Sequence, residues 1–125
     1  MSTITPYISA KSATAVIDFC TKVFGAKETM RHTDDAGRVR HAQITIGDSS
    51  IMLSDETPAF PDMRAVESYG GSPISLFLNV DDVDATAARA LAEGAAILYP
   101  IRDQEYGRSG SIKDPFGLIW HITKP

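Results

Sequence analysis

The sequence predicts an α+β protein made of two β-α-β-β-β modules, whose strands form a cupped mixed sheet. Each half contains one stretch of apolar residues at helical spacing, among short stretches with the alternation of β-strands. Gly25 and Gly94, which each follow a predicted helix, lie about 70 positions apart, as do Gly47 and Gly117 in the last turn of each half. These matched offsets favour an internal duplication.

In the first half, Ser12 is suited to cap a helix over 13–24, and Gly25 is suited to end it. Strands are expected over 3–10, 27–32, 38–46 and 50–54. Within 38–46 two sets of residues alternate and must lie on opposite faces of the sheet. The set expected against the helix is Ala42, Ile44 and Ile46, and the set on the other face is His41, Gln43 and Thr45.

The second half repeats this order, with a helix over 83–93 that Asp81 or Asp82 caps and Gly94 ends. Strands are expected over 74–80, 95–99, near 108–112 and over 118–123, the last after the turn Asp114-Pro115-Phe116-Gly117. Residues expected against the helix are Ile74, Leu76, Leu78, Val80, Leu118, Trp120 and Ile122. Residues expected on the opposite face are Ser75, Phe77, Asn79, Ile119, His121 and Thr123.

Both halves therefore present a mixture of polar and aromatic side chains to one concave surface, the usual form of a small-molecule pocket. The chain is expected to be a single domain, 1–125, with a first module over 1–56 and a second over 73–125. Residues 57–72 are rich in proline and glycine, and this segment is expected to be a linker or a lid.

Composition excludes several classes of partner. The net charge of −4 leaves no basic surface for nucleic acid, and no apolar run approaches the length of a membrane span. The single cysteine, Cys20, has no partner for an internal disulfide and is expected to pack inertly in the first helix. With no visible secretory signal, these features predict a cytoplasmic protein.

Four segments of the chain resemble the vicinal-oxygen-chelate superfamily, which includes glyoxalases, bleomycin-resistance proteins and extradiol dioxygenases, and within it the PhnB-like branch. The resemblance runs in order through Thr5–Ile8, 15–26, 41–56 and Lys113–Trp120, and Asp114-Pro115-Phe116-Gly117 followed by Trp120 is its most specific part. It implies paired modules around one cavity, commonly in a homodimer. It also implies a small organic molecule as the partner.

Metal-using members of the superfamily place ligands on the first and last strand of each module. In this chain the matching positions fall near Thr5, near Met52 or Leu53, at Ser75 and at His121. Only His121 is a good ligand for a divalent transition metal, and one ligand is not enough. The resemblance therefore implies a scaffold without the usual metal site and without another cofactor.

Candidate site residues follow from the predicted faces and loops. His41, His121 and Glu105 are candidates for catalysis, and His121 is a weak candidate for metal. Arg102 and Arg108 flank Tyr106, and either could clamp an anionic ligand or be an ordinary surface charge. The candidate ligand-binding residues are Thr5, Tyr7, His41, Gln43, Ser75, Phe77, Tyr106, Arg108 and His121.

Three classes of function remain open at the sequence level. The first is a binding protein that sequesters or senses a small organic molecule without metal. The second is a lyase, isomerase or dioxygenase with an atypical metal set around His41 and His121. The third is a protein-interaction module, since a fold does not dictate a function.

Overall fold

The structure is a computed structural model and describes residues 2–125. Its eleven helices and strands follow the predicted β-α-β-β-β order twice, with one short helix between the modules. The elements are β1 Tyr7–Ala10, α1 Ala13–Phe24, β2 Lys27–Thr33, β3 Val39–Ile46, β4 Ser49–Asp55, α2 Val66–Tyr69, β5 Leu76–Asn79, α3 Val83–Ala92, β6 Ala96–Gln104, β7 Gly107–Lys113 and β8 Ile119–Lys124. No helix among the described residues is long and apolar enough to span a membrane.

The chain forms two compact units, residues 2–69 and Gly70–Pro125, each with one four-stranded sheet. The strand order is β1-β4-β3-β2 in the first unit and β5-β8-β7-β6 in the second. In both sheets one parallel pair joins an antiparallel ladder, because β1 pairs with β4 and β5 pairs with β8 in parallel. The two sheets therefore share one topology, and the predicted α+β class is confirmed.

The register shows how closely the two units correspond. In the first sheet Tyr7 pairs with Met52, and Met52 pairs with Gln43. In the second sheet Phe77 pairs with His121, and His121 pairs with Ser111. His121 and Met52 thus occupy the same place in the duplicated pattern.

Helix α1 has both of its predicted caps. The Oγ of Ser12 accepts a hydrogen bond from the Ala15 amide at 3.1 Å, and Gly25 ends the helix with a φ of 70°. That left-handed conformation costs glycine little. One face of the helix, with Val16, Phe19 and other apolar side chains, is buried.

The two predicted caps of α3 resolve to one residue. Asp82 is the cap, because its Oδ1 accepts a hydrogen bond from the Ala85 amide at 3.0 Å. The helix ends at Ala92, and Gly94 follows with a φ of 96°.

Some boundaries and burial predictions were wrong. The first strand begins at Tyr7 rather than Thr3, because its ladder with β4 starts at the Tyr7–Met52 pair. Ile74 was expected in the core but is 70% exposed, since β5 begins only at Leu76. Thr123 lies on the predicted face, since it pairs with Ser109, but it is buried there.

The connecting segment contains the short helix α2, which the Glu56 carboxylate holds. One oxygen of Glu56 accepts a hydrogen bond from the Ala65 amide at 2.9 Å, and the Ser68 hydroxyl lies 3.0 Å from both oxygens. These donors, the Ala65 amide first, lower the pKa of Glu56 below its ordinary value. The carboxylate therefore ties the connecting segment to the end of β4.

Candidate functional site: a pocket in the second unit

The hairpin before β8 fixes the orientation of the last strand. The Oδ1 atom of Asp114 accepts hydrogen bonds from the Phe116 amide at 3.0 Å and the Leu118 amide at 2.9 Å. Its Oδ2 atom accepts one from Trp120 Nε1 at 2.9 Å. Trp120 is thereby held in the core, and the alternation of the strand turns the next residue, His121, to the opposite face.

Burial raises the pKa of the Asp114 carboxyl, although hydrogen bonds from the Trp120 side chain and from nearby backbone amides act in the other direction. The carboxylate therefore serves as a structural acceptor inside the hairpin. It points to the core side of the sheet and does not line the pocket described below.

Both ring nitrogens of His121 lie within hydrogen-bond distance of a serine hydroxyl. Its Nδ1 lies 2.7 Å from the Ser111 hydroxyl, and its Nε2 lies 2.9 Å from the Ser75 hydroxyl. Ser111 is buried and Ser75 is exposed, so this chain of three side chains runs from the sheet to solvent. A neutral imidazole satisfies both contacts, donating to one hydroxyl and accepting from the other.

A β-bulge in the edge strand β6 brings two more side chains to the face of His121. Tyr99 pairs with Ser111 and Arg102 pairs with Ser109, so three steps along β6 match two along β7. Without the extra residue Tyr99 and Arg102 would lie on opposite faces. With it, both share the face of Ser109, Ser111 and His121.

Gly110 allows this bulge to form. A Cβ at Gly110 would lie 2.7 Å from Ile101 Cγ1 and 3.0 Å from Ile101 Cα, so a larger residue would push the two strands apart. Pro100 lacks an amide hydrogen and is tolerated because β6 is an edge strand with a bulge. Pairing with β7 resumes after the bulge, so β6 continues to Gln104, well beyond the predicted end at Tyr99.

These elements line a pocket of about 290 Å³ that is open to solvent. Three of its walls are the aromatic rings of Phe77, Tyr99 and Tyr106, and the Phe77 ring lies 6.5 Å from that of His121. The complete lining is Phe77, Tyr99, Pro100, Arg102, Gln104, Tyr106, Ser109, Gly110, Ser111 and His121.

The two candidate arginines have different roles. Arg108 is bound by two carboxylates: its Nε and Nη2 contact Asp84 at 2.7 and 3.0 Å, and its Nη1 contacts Asp103 at 3.1 Å. These contacts raise the pKa of Arg108 and lower that of Asp84. Arg108 does not line the pocket, whereas Arg102 does.

The first unit holds the other predicted site residues. The Tyr7 hydroxyl lies 3.3 Å from His41 Nδ1, and Gln43 is half-buried beside Met52. Thr5 lies just before β1. This unit has its own pocket, of about 250 Å³, lined by Tyr7, Arg40, Ser54, Asp55, Thr57, Phe60 and Met63.

Glu105 lies in the turn between β6 and β7, is exposed, and does not line the pocket of the second unit. The neighbouring residue Tyr106 does. Sequence reasoning did not name Tyr99 and Gln104 as site residues. The pair Pro100 and Gly110, which interrupts the strand pattern, was the only signal of the bulge that brings them there.

The residues around His121 do not fit a divalent metal. Both ring nitrogens are bound to serine hydroxyls, which are poor ligands for a transition metal. Across residues 2–125, no three His, Cys, Asp or Glu side chains group closely enough to hold one ion.

A family model for the Glyoxalase/Bleomycin resistance protein/Dioxygenase superfamily matches residues 4–122. The chain belongs to this superfamily. The protein Rv0887c of Mycobacterium tuberculosis is 35% identical over 125 residues, which cover 98% of this chain and 74% of that protein.

Two solved structures with 25% sequence identity resemble the chain over nearly its whole length. TioX from Micromonospora sp. ML1 has a TM-score of 0.72, with 99% of this chain and 96% of TioX covered. TnmS3 from Streptomyces sp. CB03234, described as an antibiotic-binding protein, has a TM-score of 0.66, with 99% and 97% covered. The superfamily fold thus extends over both units.

Proposed function

We propose that this protein binds a small, planar organic molecule in the pocket of the second unit, and that it does so without a metal ion. The observation that carries this proposal is the lining of the pocket, in which three aromatic rings stand around the hydroxyl-bound His121. Aromatic walls with a few fixed polar groups are typical of sites for small organic ligands.

The hydrogen bonds of His121 favour ligand binding over metal-dependent chemistry. Its nitrogens are both engaged, so the ring offers a ligand its face and the two serine hydroxyls beside it. Phe77 is 63% exposed beside this ring, although burying such a side chain is favourable. A planar ligand placed against Phe77 and His121 removes that apolar surface from water.

One further comparison is consistent with this proposal. TnmS3, which has the same fold, is an antibiotic-binding protein. From the four segments that carry the resemblance, of which the Asp114–Gly117 turn followed by Trp120 is the most specific part, we also infer membership of the PhnB-like branch.

Titration with naphthalene, quinoline and anthraquinone derivatives, followed by ligand-observed NMR, tests the proposal. We expect binding that Phe77→Ala weakens about tenfold, because the ring contributes most of one wall. Tyr69→Ala is the matched control, since Tyr69 is a similarly exposed aromatic side chain in the first unit. Equal binding by both variants, or none by the wild type, contradicts the proposed site.

Elemental analysis of protein purified without chelator separates this proposal from the enzymatic alternative. We expect no stoichiometric transition metal. One metal ion per chain that is lost in His121→Ala would refute metal-free binding and favour a metal-dependent lyase, isomerase or dioxygenase.

A further inference from the structure

We infer that the pocket of the second unit selects planar molecules that carry an acidic group, and that Arg102 is the residue that recognises this group. The inference rests on the proposed function, because it names the ligand class of the same site. It follows from the charges of the pocket lining and from the bulge in β6.

The lining contains one arginine and no acidic side chain. Arg102 is the sole Lys, Arg, Asp or Glu residue among the ten described residues that line the pocket. The residue beside the arginine on the same wall, Gln104, is a neutral amide. By contrast, the pocket of the first unit contains both Arg40 and Asp55.

Arg102 also has no partner among the residues that the structure describes. Within residues 2–125, no hydrogen bond or ion pair to its guanidinium is found, whereas Arg108 has both Asp84 and Asp103. A guanidinium beside apolar walls gains most from a carboxylate that it can bind through two parallel hydrogen bonds. Asp84 and Asp103, two carboxylates of this unit, are both bound to Arg108.

The bulge in β6 also places Arg102 where it can bind an acidic group. The bulge between Tyr99 and Arg102 brings both side chains to the face of His121. They pair with Ser111 and Ser109, two residues apart on β7, so the aromatic ring and the guanidinium are neighbours on this face. A flat ring against Tyr99 and Phe77 can then direct an acidic substituent toward Arg102. Because the whole chain carries a net charge of −4, the overall field does not attract an anion, and this local cation decides the preference.

The test compares two probes of nearly equal shape, 2-naphthoate and its neutral amide 2-naphthamide, titrated by ligand fluorescence and NMR at low salt. We expect the wild type to bind naphthoate five- to tenfold more tightly than naphthamide. Arg102→Gln should abolish this preference by weakening naphthoate alone, and Arg102→Lys should retain part of it. Arg108→Gln, which removes an arginine bound by carboxylates, should keep the preference.

The outcomes separate the two proposals. Equal affinity for both probes in the wild type, or a preference that survives Arg102→Gln, overturns the inference while the pocket remains a binding site. Binding of neither probe at millimolar concentration, or binding that Phe77→Ala does not weaken, overturns the proposed function itself. A preference lost equally in Arg102→Gln and Arg108→Gln would show general charge attraction and also overturns the role of Arg102.

Discussion

The Asp114 hairpin offers a sharp test of how the second unit is held together. Asp114→Ala removes the acceptor of three hydrogen bonds, to the Phe116 and Leu118 amides and to Trp120 Nε1. The Leu118 and Trp120 contacts are buried, so water does not replace the lost acceptor there. We expect this substitution to be among the most destabilising in the sheet.

The magnitude follows from these contacts. Each buried donor left without an acceptor costs about 1–3 kcal/mol. Burial of the Asp114 carboxylate, which raises its pKa, is a cost that the substitution removes, so part of the loss is offset. A net loss near 3 kcal/mol follows, and in a chain of this size it lowers the melting temperature by about 10 °C.

Thermal unfolding followed by circular dichroism and by Trp120 fluorescence measures this effect, since Trp120 is the single tryptophan and lies in the second unit. Asp114→Asn should be intermediate, because its amide retains one acceptor oxygen but places a donor opposite Trp120. Asp34→Ala is the matched control, since Asp34 accepts from two amides in a similar but less buried turn.

A melting temperature for Asp114→Ala within about 2 °C of the wild type would refute the reasoning. So would an equal loss in Asp34→Ala, because burial of the donors would then not be the cause.

Three further predictions concern separate parts of the chain. Because the pKa of Glu56 is lowered in the fold, its stabilising effect should be full above its ordinary value of 4.5 and lost as pH falls through the lowered value. The protection of amides in the connecting segment, taken as the exchange rate relative to the intrinsic rate at the same pH, should therefore fall on acidification in the wild type and already be low at pH 7 in Glu56→Ala; an equal effect of the exposed control Glu67→Ala would contradict this. Gly110→Ala should cost about 1–3 kcal/mol of unfolding free energy in denaturant titration, with partial rescue by Ile101→Ala, since the new methyl would meet Ile101; an unchanged midpoint would disprove the close approach. Cys20, which is 1% exposed, should react with a thiol reagent only after unfolding, and rapid stoichiometric labelling of the native protein would show the burial to be wrong.

Much of the fold could be predicted because its signals are local. The helix caps Ser12 and Gly25 satisfy backbone groups within one turn, and strand alternation alone assigns Ala42 and Trp120 to buried faces. The repeated glycine spacing also predicted the duplication that the matching registers of the two sheets confirm. Ile74 was wrong because burial there depends on where pairing with β8 begins, which no local pattern shows.

The site was harder to predict because it depends on contacts between distant segments. Whether Arg102 or Arg108 is free is decided by Asp84, which lies in α3, 24 residues before Arg108. The side of the sheet that Arg102 faces is decided by a bulge opposite Gly110, and alternation counted along the sequence loses phase at that point. The assignments of His41, Gln43 and Thr5 as ligand-binding residues stay predictions.

Because of the bulge in β6, the number of residues between Tyr99 and Arg102 determines which side chains face the pocket. Deleting Ile101, which does not line the pocket, would leave every pocket side chain in the sequence and still turn the guanidinium to the other side of the sheet. A single insertion or deletion at this edge can thus change ligand preference in one step, where substitution would need several. Relatives that differ in length between these two positions are therefore expected to differ in the charge of the ligands that they accept.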